Sequence, residues 1–332
     1  MTLTRRSFLT RTTATLAAPT LIGSVSATPA LAQSASGAPL GGDIQRFRVG
    51  GIEVTALWDG YAPLPNAMIA GFEPEAAKAA AHAAYKPYDP QMFSVSINGY
   101  LIRSGDRLIA VDTGAPAPMA PTVGRWHQSL ALAGVSADQI DTVFLTHAHG
   151  DHVGGLADLT TGAQSALLPN AEVVLSEAEW AFTFDDAVLA AVPEAFRENF
   201  MASRALLSPY AAARRELAAT RETEIAPGVT AVPAPGHTPG HMGLRITDGD
   251  DSLLIWGDAI HATAYQFANP DWSVLFDADP AQAAATRAGL LDMAASTRLR
   301  VAGMHHDFPS LGYVEHFGSA YRYIGAPGDT AG

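Results

Sequence analysis

Apolar runs alternate with breaks rich in glycine, proline and aspartate along most of the chain, and the breaks divide it into short strands and longer helices. Residues Ile44–Val49 and 52–57 flank Gly50-Gly51, the signal of a hairpin. Residues 94–103 and Arg107–Val111 flank Gly105-Asp106 and predict a second one. Between these hairpins the Ala- and Pro-rich segment 61–92 predicts a helix over 74–84. A helix is expected over 122–134, then a short buried strand over 141–146. The second half follows the same scheme. It has a strand at 171–175, a long helical region from 176 to 220, and strands near 223–232, 242–247 and 252–257. A helix over 280–297 and a strand over 299–304 complete it, with no short-period repeat. This order predicts one α/β domain in which two sheets pack face to face with helices outside.

Composition narrows the picture. With 332 residues, 48% of them hydrophobic, the chain can bury one large core or two small ones. Its formal net charge is −13, its lysines are Lys78 and Lys86 alone, and its body holds no basic cluster. Nucleic-acid binding is therefore excluded as a reading. There is no cysteine, so no disulfide supports the fold, and any metal ligand must be His, Asp or Glu.

The first 32 residues stand apart. Thr4-Arg5-Arg6-Ser7-Phe8-Leu9 places two arginines ahead of an Ala/Thr-rich stretch that ends at the small-x-small site Ala30-Leu31-Ala32. The pattern is similar to a twin-arginine export signal. Its apolar part is too short, and too interrupted by Thr and Pro, to span a bilayer. The expected organisation is a signal at 1–32, a linker at 33–42, a catalytic domain at 43–325 and a tail at 326–332. The expected location is periplasmic or secreted, with no stable membrane anchor after cleavage. Removal of Arg5, Arg6 and Arg11 takes the charge from −13 to −16.

The chemistry concentrates at 146–155, which read THAHGDHVGG. His147 and His149 leave a strand in extended conformation, where alternate side chains point the same way and can grip one ion. Gly150 permits a sharp turn, after which Asp151 and His152 can face a second position. One tetrahedral ion cannot easily take four ligands from six consecutive residues, whereas two ions sharing a bridging water can. Further donors follow at strand ends: His237 after Pro235-Gly236, Asp258 after Trp256-Gly257, and His305 after Gly303-Met304. An aspartate ending an apolar strand is costly to half-bury unless a cation neutralises it.

The series H-x-H-x-D-H, Gly-His-Thr-Pro-Gly-His, Gly-Asp and a late His resembles the metallo-β-lactamase superfamily over about 44–325. Asp112-Thr113-Gly114 is similar to that family's upstream element. The resemblance implies an αβ/βα four-layer sandwich with metals at one edge. It implies His147, His149 and His237 on one ion, Asp151, His152 and His305 on the other, and Asp258 between them. The adjacent His306 is expected beside the site or solvated, and His241 in a supporting place. His82, His127 and His316 are expected at the surface. His261 could bond a ligand or shuttle a proton. The candidate catalytic residues are Asp151, Asp258 and His261.

Two divalent cations sharing a water lower its pKa from about 15.7 toward about 7 and polarise the substrate oxygen, so the expected nucleophile is a bridging hydroxide. Zinc is the default, and manganese, iron or cobalt also fit N/O ligands. Redox chemistry is disfavoured, because di-iron members of the fold carry a carboxylate where this chain has His149. Cysteine-ligand β-lactamases are excluded, and the cysteine-free type usually lacks a carboxylate in the place of Asp258. A glyoxalase II would carry a basic C-terminal region, whereas 299–332 holds only Arg300 and Arg322.

A finer resemblance is to exported methyl-parathion-hydrolase-like enzymes and N-acyl-homoserine lactonases. It rests on Trp256 to His261, Gln266-Phe267, Phe276-Asp277-Ala278-Asp279, and Gly303-Met304-His305 leading to Phe308-Pro309 and Leu311-Gly312. It implies a small neutral ester substrate: a lactone, an aryl ester or an organophosphate triester. Trp180, Phe182, Phe184, Phe267, Trp272, Phe276 and Phe308 are the expected apolar pocket wall. The rival readings are a cysteine-free β-lactamase and a catalytically silent periplasmic metal-binding protein. The chain also allows a homodimer.

Overall fold

A computed structural model describes residues 42–117, 119–159 and 164–326. The expected signal at 1–32, the linker up to 41 and the tail from 327 lie outside them. Among the described residues, no helix is long and apolar enough to cross a membrane.

The longer strands form two seven-stranded sheets, each laid down in chain order. The first holds β1 (Ile44–Val49), β2 (Ile52–Pro65), β3 (Met92–Ser104), β4 (Arg107–Val111), β5 (Thr142–Phe144), β6 (Glu172–Ser176) and β7 (Arg214–Leu217). The second holds β8 (Thr223–Ala226), β9 (Val229–Pro233), β10 (Met242–Asp248), β11 (Asp251–Ile255), β12 (Arg300–Ala302), β13 (Leu311–Phe317) and β14 (Ala320–Gly325). In both sheets the first four strands form an antiparallel meander. Parallel steps follow, from β4 through β7 and from β11 to β12. A parallel step needs a crossover, and every helix but the first, which lies in the antiparallel connection from β2 to β3, occupies one. After α1 (Pro74–Ala83) come α2 (Trp126–Leu132) and the single turn α3 (Gly150–Val153). The others are α4 (Glu177–Phe184), α5 (Asp186–Ala191), α6 (Glu194–Leu207) and α7 (Pro280–Thr297).

Alternation along the strands sorts side chains into layers. Ile109 and Val111 on β4 join Tyr100, Leu244 and Ile255 between the sheets, while Leu108 and Ala110 face outward with Trp126 and Leu130 of α2. On β11, Leu253 and Ile255 point inward and Leu254 outward, among Leu291 and Ala294 of α7. Each fully buried Val or Ile contributes roughly 1.5–3 kcal/mol. The result is the αβ/βα four-layer sandwich.

Several elements differ from expectation. The second strand runs on to Pro65, bent by an irregularity between Trp58 and Gly60. The second helix begins at Trp126 rather than 122, because Asp59 on β2 accepts from the backbone N–H groups of Gly124 and Trp126. Region 176–220 is not one helix. Asp185 caps α5 by accepting from Ala187 N–H, Pro193 precedes α6, and Arg214–Leu217 forms an edge strand. The hairpin of β13 and β14 had no clear pattern. Val314 is buried while Tyr313, Phe317 and Ile324 are exposed, so apolar residues fall on both faces.

Candidate metal centre

Strands β9, β11 and β12 run in the same direction, so their carboxyl ends share an edge of the sandwich. The loops leaving them carry His237, Asp258 and His305. The loop leaving β5 carries His147 and His149, and α3 carries Asp151 and His152. The chain bends at His149 and turns into a helix at Gly150. Gly150 is the first residue of α3, with His149 extended before it.

These side chains converge on Asp258. Its Oδ2 lies 3.0 Å from Nε2 of His305, 3.0 Å from that of His261 and 3.3 Å from that of His152. The corresponding atoms of His237 and His147 are 3.4 and 3.6 Å away. Asp151 Oδ2 is 3.5 Å from Nε2 of His305 and 3.6 Å from that of His152. His149 presents Nδ1, 3.0 Å from Nε2 of His237. Among the described residues four donor groups result, each with its ligand atoms within 4.8 Å of one another. They are His147/His149/His237, His147/His152/Asp258, Asp151/His152/His305 and His237/Asp258/His261.

Second partners orient the imidazoles. Nδ1 of His152 donates to Asp112 at 2.7 Å, and Nδ1 of His237 to Asp277 at 2.7 Å. Nδ1 of His305 donates to the Ser96 carbonyl at 2.9 Å. With Nδ1 so engaged, Nε2 is the free donor atom. Asp112 also accepts from Thr146 N–H and hydroxyl, which fixes the entry to the histidine loop. His241 supports from below: its Nδ1 donates to the Ala234 carbonyl and its Nε2 accepts from Asp258 N–H. Gly257 allows this approach. Its φ is +55°, and a Cβ there would lie 2.4 Å from His241 Nε2.

The donor set fits divalent cations. Among the described residues, Nε2 of His147, Nε2 of His152 and Oδ1 of Asp258 are buried with no hydrogen-bond partner. Each such orphan costs about 1–3 kcal/mol unless something binds it. Burial and neighbouring imidazoles hold His147 and His237 well below the usual histidine range, and burial brings His149 to about 4. These are neutral imidazoles, the form that ligates. His152 and His305 go the other way: burial lowers them, but Asp258 and Asp151 raise them further. Both aspartates are held low in turn, because the facing histidines outweigh burial. The carboxylates thus call for positive charge at this point, which a cation also supplies.

His306 is neither solvated nor in the donor groups. It is fully buried, accepts from Trp256 Nε1 at 3.2 Å, and packs on Phe267 and Tyr323. Burial pushes it down to about 3. His127 is half-buried against the Gly155 carbonyl rather than at the surface, whereas His82 and His316 are exposed.

The expected aromatic wall separates into different layers. Phe276 sets its ring against His149, His237 and His261. Trp180 stacks on Phe184 under the Arg214 guanidinium, and Phe182 packs on Phe200. Phe267 joins Trp256 and Tyr323, Trp272 joins Phe72 and Tyr265, and Phe308 meets Trp58. Sequence reading missed the parts of Ser96 and Asp277. Ser96 acts through its carbonyl, which no residue type reveals.

A family model described as the metallo-beta-lactamase superfamily matches residues 94–305. The solved structure of AidC, a dizinc quorum-quenching lactonase, is 27% identical, with a TM-score of 0.76 over 86% of this chain and 97% of that one. The hydrolase AbOPH, of the beta lactamase superfamily, is 26% identical, with a TM-score of 0.77 over 86% and 98%. The uncharacterized protein YobT of Bacillus subtilis (strain 168) is 29% identical over 171 residues, 51% of this chain and 64% of YobT. The chain spans 22% to 64% of the length of the curated relatives it matches. The matched segment begins in β3 and ends on His305, so it encloses every donor described above, and it covers more than half of the chain. The chain belongs to the metallo-beta-lactamase superfamily.

Proposed function

We propose that the protein is a dinuclear metal-dependent hydrolase of neutral ester bonds. Lactones are the physiological class, and aryl esters and organophosphate triesters are further substrates of the same site. The carrying observation is the meeting of two triads around Asp258, His147/His149/His237 on one side and Asp151/His152/His305 on the other, with orphaned donor atoms between them. Those seven residues would hold two divalent ions, zinc by default, as in the dizinc AidC. When bound, such a pair activates water near neutral pH and polarises the substrate oxygen.

The remaining roles belong to the chain itself. Asp258 holds the two halves of the donor set at a common oxygen, and Asp151 adds a carboxylate to one half. His261 engages Asp258 through Nε2, and its Nδ1 is buried without a partner among the described residues. Its proposed part is to orient Asp258 and to relay the proton released by the attacking water, taken up at one ring nitrogen and given to the leaving oxygen from the other. Phe276 closes off one side with an apolar ring and excludes water. Arg287 is committed to the carbonyls of Ala259, Pro270 and Trp272, and Lys86 to Thr263 and Asp307. Neither is free to clamp a charged substrate, which favours neutral esters. AidC, a lactonase, was solved in complex with a product, N-hexanoyl-L-homoserine, which supports the lactone class, and AbOPH is named a hydrolase, which supports the hydrolytic reading. Export through a twin-arginine signal at 1–32, giving a periplasmic or secreted protein, is proposed from the sequence alone.

The test compares kcat/KM of the zinc- and manganese-reconstituted chain on an N-acyl-homoserine lactone and on a dialkyl aryl phosphotriester. The lactone is expected to win by about a hundredfold, and Asp258→Asn to lose both activities. A winning triester would remove the lactone class. Hydrolysis of a β-lactam amide that survives Asp258→Asn would indicate a β-lactamase. No rate above free metal on any ester would leave only a metal-binding protein.

A further inference from the structure

Glu179 takes no part in the roles above, yet it is only 1% exposed. Its local sequence, Ser176-Glu177-Ala178-Glu179, reads as a capping box, in which the glutamate would reach back to the N–H of the capping serine. Half of that box is present, because Glu179 N–H donates to Ser176 Oγ at 3.0 Å. The side chain goes elsewhere. Its Oε1 accepts from Ala148 N–H at 2.9 Å, its Oε2 accepts from the Thr238 hydroxyl, and Gly240 N–H donates to the same carboxylate.

The partners are informative. Ala148 lies between His147 and His149, and Thr238 follows His237. A single buried carboxylate therefore ties together the two loops that carry the whole of one triad, bridging 31 residues on one side and 59 on the other. Ser176 completes the clamp by donating to the Gly240 carbonyl at 2.8 Å. Gly240 must remain small, since a Cβ would lie 2.2 Å from Glu179 N. The other triad is braced without Glu179: Asp112 stands behind His152, while also fixing the entry to the histidine loop through Thr146, and the Ser96 carbonyl stands behind His305. We propose that Glu179 is a positioning residue: it holds His147, His149 and His237 in register and sets the metal affinity of that triad independently of the other. The inference rests on the two-ion reading.

The experiment titrates the chelator-stripped mature chain with Zn²⁺, and separately with Co²⁺ read by its visible spectrum. The chains are wild type, Glu179→Gln and Glu179→Ala, with His149→Ala and His152→Ala as references. Wild type is expected to bind two equivalents. Glu179→Gln keeps an acceptor for Ala148 but turns an amide NH₂ toward donors, and it should weaken one equivalent by about tenfold. Glu179→Ala should weaken the same equivalent further, and the Co²⁺ spectrum of the remaining ion should match that of His149→Ala. Equal weakening of both equivalents, no weakening, or a spectrum matching His152→Ala would overturn the proposal. If Glu179→Ala fails to fold, Glu179→Gln carries the comparison. A wild type that binds fewer than two equivalents would remove the two-ion reading and this inference with it. The two failures are therefore read from different chains.

Discussion

Asp277 Oδ1 accepts a 2.7 Å hydrogen bond from Nδ1 of His237 across 40 residues of chain. The loop that brings Asp277 there is anchored by a short antiparallel pairing of Ser273–Val274 with Ile69–Ala70, and Val274 N–H donates to the other carboxylate oxygen. The carboxylate fixes both the ring plane and the tautomer of a candidate ligand. Asp277→Ala is therefore expected to lower metal affinity by about 10–100-fold while the fold persists. Zinc competition against a chromophoric chelator reads this directly, and unchanged affinity would show that the bond is incidental.

His305 and His306 are neighbours with opposite surroundings, and their alanine variants should separate. His305→Ala is expected to lose one metal equivalent. His306→Ala should keep both equivalents but lose about 2 kcal/mol or more of stability, because it empties a buried site and leaves Trp256 Nε1 without its acceptor. Metal analysis beside denaturant unfolding distinguishes them. Loss of metal in His306→Ala at full stability would reverse the assignment.

Gly257→Ala should be costly for two reasons. The residue is in the left-handed region, and the added Cβ would displace His241 from the Asp258 N–H. The strain alone is worth about 1–3 kcal/mol. A lowered Tm together with weakened metal binding is expected, whereas a neutral result would mean that the loop relaxes freely.

Burial raises the Glu179 carboxyl to about 7. Its folded value therefore lies above its unfolded one, about 4.5, and the folded state holds the extra proton between them. The contribution of this group to stability is fully present below about pH 4.5 and is lost as pH rises toward about 7, by up to about 3 kcal/mol. In chelator-treated protein, the stability of wild type relative to Glu179→Gln should fall across that window and level off above it. A difference independent of pH would refute the shift.

Local order made much of the chain legible in the sequence. The hairpins around Gly50-Gly51 and Gly105-Asp106, the helix over 280–297 and the strands that feed the site all rest on nearest-neighbour patterning, and the structure places them there. The donors were legible as candidates for a related reason. Polar residues that end apolar strands stand out against their surroundings, and four of them lie within one strand exit. Helical appearance misled at 176–220, where Asp185 and Pro193 break the helix and an edge strand follows, since an edge strand needs little apolar alternation.

The sequence by itself determined the layers, the chemical type of the centre and the residues able to build it, because periodicity and residue type are local properties. Only the tertiary structure decided which groups face one another. Glu179 reads as a surface cap and is a buried clamp. Ser96 reads as a strand serine and offers its carbonyl to His305 from 209 residues away. Phe276 is one of seven similar aromatics until packing sets it against the histidines. Hydrogen bonds and ring contacts act over a few ångströms of space whatever the chain separation, so they become fixed only once both sheets have closed.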